Sequence, residues 1–436
     1  MNKSFLLFIG LFFMVQLSLA QSKLTLSDAI QIALQNNYQI KAYKSLKEVT
    51  ELNNHRGNAG MLPTVALNGG LGWASNQTRQ EFANGQTVNR NNAISQNNNS
   101  SIDLNWTLFD GLKMFAIKDQ LSLQAIQSQI EFRQQVQTTV AAVILNYKNI
   151  VKQTEALKSY EAVVKVSEER IRFITQKIAL GNGNKLELLQ AKLDLNSQKS
   201  IYQTQALQLL QAKVQFNQTL GINPSKDNLF VDSLALRFQG SYDSLRSLTI
   251  LKNTKLTQLA NQILIRKKEL QASRGNYFPT VGLNVSYGYT RVKNQVGFLL
   301  FSTNLGFNAL LSANWIIYGG GVLKRGIAQK GIEITIAEFA FQEQQQWIEG
   351  ELKVGWEMLK QSQDLLVLEE NNSEMAKEAL TIAIEKFRVG LISNLDLMTV
   401  QNSFVQAGAR LAAARYQVSE ASTRLMLLDG SLIRTE

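Results

Sequence analysis

Cysteine is absent from the 436-residue chain, and proline occurs only as Pro63, Pro224 and Pro279. Without cysteine there are no disulfides and no N-terminal cysteine to carry a lipid. Because proline breaks helix interiors, its scarcity leaves room for very long helices. Histidine is equally scarce: His55, on an Asn-rich helical stretch, reads as a solvated side chain rather than a ligand. No Cys/His cluster, Walker-type loop or nucleophile elbow occurs. The "GGG" at 319–321 lacks the Lys-Ser/Thr of a phosphate loop and reads as a corner where a strand becomes a helix. Enzyme activity is therefore not expected, and no catalytic residue, cofactor or metal is assigned. Beyond residue 20 no apolar run is long enough for a transmembrane helix. That leaves a soluble exported protein, a peripheral one, or a β-barrel with its weak alternating signal.

The first twenty residues read as a secretory signal peptide, with Lys3 before "FLLFIGLFFMV" and small Ser18 and Ala20 near a cleavage point, so that the mature chain starts at Gln21. The net charge is +11. Its Lys and Arg are interspersed with acids along helix surfaces, which fits solvated faces better than a nucleic-acid site, and export argues further against nucleic acid.

The chain repeats itself. "PTVALNGGLG" at 63–72 matches "PTVGLNVSYG" at 279–288 in six of ten positions, and "NWTLFDGLK" at 105–113 corresponds more loosely to "NWIIYGGGV" at 314–322. The domains expected are a signal peptide over 1–20, a first repeat over 21–221, a linker over 222–244 and a second repeat over 245–436. Within each repeat the pattern changes from period two to period 3.6. Strands are expected over about 64–74, 101–109, 280–290 and 305–318, each near the ten residues that cross a bilayer when tilted. Val65, Leu67, Leu71 and Trp73 alternate with Thr64, Asn68 and Gly70. One face is bulky and apolar and the other is Asn, Ser, Gly and Thr, as in a barrel with lipid outside and water inside. A soluble sandwich would alternate too. The stretches 75–99 and 291–304 read as exposed loops.

The rest reads as helix, with shorter segments at 26–60 and about 246–276 ahead of the strands. From Leu112 to Leu180 there is neither proline nor glycine, enough for a helix of about 100 Å. Leu188, Leu195, Tyr202 and Leu209 recur every seven residues, as do Leu397, Phe404, Leu411, Val418 and Leu425, which predicts helices that supercoil. Between outgoing and returning helices stand Gly181 and Gly390, each followed six residues on by an acid, Glu187 and Asp396. Glycine accepts the left-handed conformation of a helix C-terminus. The acids also suit the first turn of a helix, where the dipole favours them.

With "LTLSDAIQIALQNN" at 24–37, the paired "LPT" and "FPT" strand openings, "WTLFDG" at 106–111 and both glycine turns, the chain resembles the TolC family of outer-membrane channel proteins over essentially its whole mature length. The resemblance implies an α+β membrane protein: a homotrimer in which four strands per protomer build one twelve-stranded outer-membrane β-barrel, continued by a coiled-coil α-helical tunnel in the periplasm. It implies a passive exit duct of a tripartite efflux pump or type I secretion system, partnered by a periplasmic adaptor protein and, through it, an inner-membrane pump. Asp396 and Glu187 would then line the periplasmic aperture, where three copies of Asp396 would raise one another's pKa and favour cations. Thr399 stands where better-known members carry a further acid, and Ile392 where they carry a base, so apolar contacts such as Ile392 and Phe387 are left to hold the gate. Val389, Gly390 and Leu391 match the tip that meets the adaptor, with Leu180, Gly181 and Asn182 the weaker counterpart. The alternative is an exported coiled-coil scaffold or adhesin with a soluble β-domain. An adaptor protein would instead show one hairpin and a lipoyl-like domain.

Overall fold

A computed structural model describes residues 23–227, 229–230 and 240–432; the expected signal peptide lies outside them. The chain forms two compact units. One holds residues 46–129 and 258–342, and the other holds the described residues up to 45, 130–257 and those from 343 on.

The first unit contains a four-stranded antiparallel sheet. Its strands are β2 (Thr64–Glu81), β3 (Thr87–Phe109), β5 (Thr280–Asn294) and β6 (Phe301–Asn314), in the order β2-β3-β5-β6. One hairpin comes from each repeat, and β3 pairs with β5 to join them. Registered rows such as Leu67, Ile102, Tyr287 and Phe307 lie on one face. That apolar face is bare: Leu67 is 79% exposed and Leu311 66%. A soluble sheet of this width buries its apolar face against helices or a second sheet.

The strands differ from their expected limits. β2 continues past 74 and β3 begins at Thr87, so most of the Asn/Gln-rich stretch expected as a loop is paired, for example Ser75 with Ile94. Ladder bonds are made by the backbone, which is indifferent to whether the side chains are Asn or Val. A bulge interrupts the register between Asn76 and Thr78, beside Asn92 with φ of 56°, a left-handed value Asn tolerates. β5 runs on to Asn294, and the strand expected at 305–318 occupies Phe301–Asn314 instead. Trp315 lies one residue past the end of β6, and its indole N–H donates to the Tyr277 carbonyl at 3.0 Å. The corresponding Trp106 donates to Met61 at 3.1 Å.

The helices repeat the duplication: α1 (Leu26–Asn36), α2 (Tyr38–Asn53), α3 (Lys113–Ala179) and α4 (Lys185–Leu220), then α5 (Tyr242–Lys252), α6 (Thr254–Gly275), α7 (Val322–Arg388) and α8 (Asn394–Leu428). α3 and α7 each have 67 residues. The segments expected as single helices at 26–60 and 246–276 are each broken by an asparagine. Asn37 Oδ1 accepts from the N–H groups of Gln39 and Ile40, while its Nδ2 donates to Thr219. Asn253 does the same for Lys255 and Leu256, with Leu428 as acceptor. Each side chain ends one helix's continuity and starts the next.

In the second unit β1 (Lys23–Leu24) pairs in parallel with β4 (Leu229–Phe230), inside the segment expected as linker. Tyr147, fully buried among Ala33, Phe216 and Leu220, donates its hydroxyl to the Leu24 carbonyl at 3.0 Å. A second cluster, with Leu245, Leu352 and Leu425, packs α5 against α7 and α8.

Candidate functional site

The end where the long helices turn back is built twice from one pattern. α3 stops at Ala179 and Gly181 has φ of +78°; α7 stops at Arg388 and Gly390 also has φ of +78°. At the first turn the Gly181 N–H donates to Ile178 and the Asn182 N–H to Lys177, both at 3.0 Å. At the second, Gly390 donates to Phe387 and Leu391 to Lys386. These are the two bonds of a Schellman motif, and they satisfy carbonyls that a helix end leaves open.

The returning helices start with side-chain caps. Asn184 accepts from the Leu186 N–H ahead of α4, and Ser393 accepts from the Asp396 N–H ahead of α8. Glu187 and Asp396 therefore occupy matching places in their first turns. Glu187 is half-buried and Asp396 exposed. Asp396 completes a reciprocal capping box, its carboxylate accepting from both the N–H and hydroxyl of Ser393. These bonds hold its carboxyl below the usual carboxylate range. The expectation of a raised value came from crowding between copies; within one protomer the direction is opposite, because the cap stabilises the charged form.

The other expected residues separate into two groups. Leu180, Val389 and Leu391 project into solvent at 79%, 69% and 73% exposure, beside exposed Gly181, Asn182 and Gly390. Thr399 is exposed, its hydroxyl donating to the Leu395 carbonyl. Phe387, expected at the aperture, is instead 4% exposed and packs on Phe173 at 5.5 Å between ring centroids. One helical turn before a Schellman glycine, its side chain points back along α7 into a core with Ile174, Ala191, Leu380 and Leu397. Ile392 packs against the same core. Apolar contact thus joins the two hairpins from within the protomer.

Farther from the turns lies a polar group that sequence reading missed. Arg170 on α3 is 2% exposed, donates through Nη1 to Gln401 Oε1 on α8 at 3.1 Å and pairs through Nη2 with Asp194 on α4. Ser167 and Gln401 are also buried. His55 accepts from the Gly57 N–H at 3.1 Å within a local turn. At the other end of the long helices, Gly320 and Gly321 have φ of 63° and 72°, forming the corner into α7.

No described helix is long and apolar enough to cross a membrane. A family model described as Outer membrane efflux protein matches residues 29–222 and 245–431, one stretch in each copy of the repeat. The outer membrane efflux protein BepC of Brucella suis is 20% identical over 335 residues, covering 76% of this chain and 72% of BepC. The alkaline protease secretion protein AprF of Pseudomonas aeruginosa is 21% identical over 421 residues, covering 94% of this chain and 85% of AprF. Among solved structures, the CmeC outer membrane channel of Campylobacter jejuni superimposes with a TM-score of 0.76 at 15% identity, over 93% of this chain and 85% of that one. CusC gives 0.75 at 14% identity, over 93% and 91%. At such identities the likeness shows the fold.

Proposed function

The chain belongs to the outer membrane efflux protein family, and from that membership we propose that it is the passive exit duct of a tripartite efflux pump or type I secretion system. It resides in the outer membrane with its long helices in the periplasm. The observation that carries this reading is the bare apolar face of a sheet only four strands wide. In lipid, a four-stranded sheet leaves two edges of unsatisfied N–H and C=O groups, and closure removes them. Three protomers supply twelve strands, a size that encloses a water-filled lumen lined by the Asn, Ser and Gly face. A soluble scaffold would leave the same apolar face in water.

No bond is made or broken in such a duct, so no catalytic group is assigned. Energy comes from an inner-membrane pump, reached through a periplasmic adaptor. Exposed Val389 and Leu391, with Leu180 in the other hairpin, are the apolar knobs an adaptor would cover, and Gly390, Gly181 and Asn182 give the backbone its close approach. Asp396, Glu187 and Thr399 are assigned to the aperture, with Asp396 the main fixed charge. Phe387 keeps a supporting role inside the protomer.

The test is assembly. Detergent-extracted protein should be a trimer by mass photometry and should fractionate with outer membranes. A stable monomer in the soluble periplasmic fraction would overturn the duct and favour the scaffold.

A further inference from the structure

Charged residues are few in the sheet. The basic ones are Arg79, Arg90, Arg291 and Lys293, all toward the hairpin ends; of the two acids, Glu81 ends β2 at its hairpin and Asp103 lies nearer the helix end on the polar face. Arg291 and Lys293 differ from the others in the face they share. β5 pairs with β6 without a break from Thr280 to Lys293, so its alternation carries through to the end. Both cations therefore stand on the bare apolar face with Val285, Tyr287 and Tyr289, not on the polar face. Tyr289 sits opposite Leu305, Arg291 opposite Thr303 and Lys293 opposite Phe301. The Arg291 guanidinium lies 5.4 Å from the centroid of the Phe301 ring, a diagonal contact on the same face. Both cations are exposed, and among the described residues neither is paired with a carboxylate.

The apolar rows from Val281 to Tyr289 run about 27 Å along the strand at ~3.4 Å per residue, or about 20 Å of height at the tilt of barrel strands. That is close to the ~25 Å apolar band of an outer-membrane barrel. The cations begin where that band ends, at the hairpin side, away from the helices. A cation there, on a surface turned from the lumen, meets headgroups. The headgroup that suits a guanidinium fork beside an ammonium is a phosphate.

We propose that Arg291 and Lys293 form, once in each protomer, a binding site for a phosphorylated lipid of the outer leaflet. The two cations hold the phosphate, and the acyl chains run down over Tyr289 and Tyr287. The site rests on the outer-membrane reading given above, which sets which face meets lipid and which end faces outward.

The experiment compares wild-type trimers with the double variant Arg291→Gln, Lys293→Gln by native mass spectrometry, which reports trimer and bound lipid together. The probes are lipid A with both phosphates, the same lipid dephosphorylated, and inorganic phosphate. Wild type should take one phosphorylated lipid per protomer, and the double variant should bind it on the order of tenfold more weakly. The dephosphorylated lipid should bind both proteins equally, and inorganic phosphate should displace nothing. A charge-matched control on α7, Lys353→Gln with Lys360→Gln, should bind as wild type does. Equal affinity of wild type for both lipids, a double variant indistinguishable from wild type, displacement by inorganic phosphate, or an equal loss in the control would each overturn the site. If wild type forms no trimer that inserts into vesicles, the duct reading falls and the site with it. If it inserts but shows no phosphate preference, the site alone falls.

Discussion

Ser393 and Asp396 hold one another at the start of α8: the Asp396 N–H donates to Ser393 Oγ at 3.2 Å, and Asp396 Oδ2 accepts from the Ser393 N–H at 3.0 Å. The residue assigned as the aperture's fixed charge is also half of a helix cap. The two roles separate by mutation. Asp396→Asn should lower the cation preference of the trimer in a planar bilayer and weaken block by divalent cations, while adaptor binding survives. Unchanged selectivity in a channel that conducts normally would remove Asp396 from the aperture.

The same pair makes a pH prediction. The cap depresses the Asp396 carboxyl, so its contribution to stability is present above the unfolded-state value and lost as pH falls through the folded one. Cation preference should fade as pH falls through the value the carboxyl takes in the trimer, where the cap lowers it and crowding between copies raises it. Ser393→Ala removes the hydroxyl donor, raises the carboxyl and should move the fade to higher pH. Selectivity measured against pH in both proteins checks this; coincident curves would contradict it.

Gly390→Val tests the turn. A Cβ at Gly390 would meet only the Lys177 ammonium at 3.9 Å, and one at Gly181 would meet nothing within 4 Å. Space is therefore not the obstacle. The cost is the left-handed backbone, roughly 1–2 kcal/mol for a residue with a side chain and more when it is β-branched. The variant should keep its trimer and barrel, lose adaptor capture and abolish efflux. Gly390→Asn, which tolerates the conformation, should retain most of both.

Much of this architecture was legible from a few residue types. Gly181 and Gly390 marked the turns because glycine alone adopts positive φ without strain, and the repeat doubled every signal. The ladder beyond Trp73 was not legible, because Asn, Gln and Ser suggest loops while backbone pairing ignores side chains. Phe387 was expected at the aperture, as an apolar contact holding the gate; the direction of its side chain along α7 places it in the core of the protomer. Arg170 resembled the many solvated cations of the helices, and nothing in its own neighbourhood marked Asp194 and Gln401 as partners.

The sheet makes a face-specific prediction. Leu104 and Leu283 belong to the apolar face, and Asn68 and Asn284 to the polar one. Leu104→Arg or Leu283→Arg should cost on the order of 2–4 kcal/mol near the bilayer mid-plane and impair insertion into vesicles. Asn68→Ser and Asn284→Ser should insert normally. Equal tolerance on both faces would return the sheet to a soluble role.

Arg170 carries the last prediction. Its guanidinium is buried between three helices, with Asp194 on α4 and Gln401 on α8. Arg170→Ala would strand Asp194, whose side chain is 12% exposed, without its counter-charge. Removing one partner of a buried pair costs about 3–5 kcal/mol, more than the pair contributes against an apolar replacement. Arg170→Ala should therefore lower the melting temperature of the helical unit and speed amide exchange in α4 and α8 around the pair. The double variant Arg170→Met, Asp194→Leu removes both charges and should recover most of that loss. If the double variant is no more stable than Arg170→Ala, the stranded charge is not the cause, and lost packing of the buried arginine stem is the remaining source.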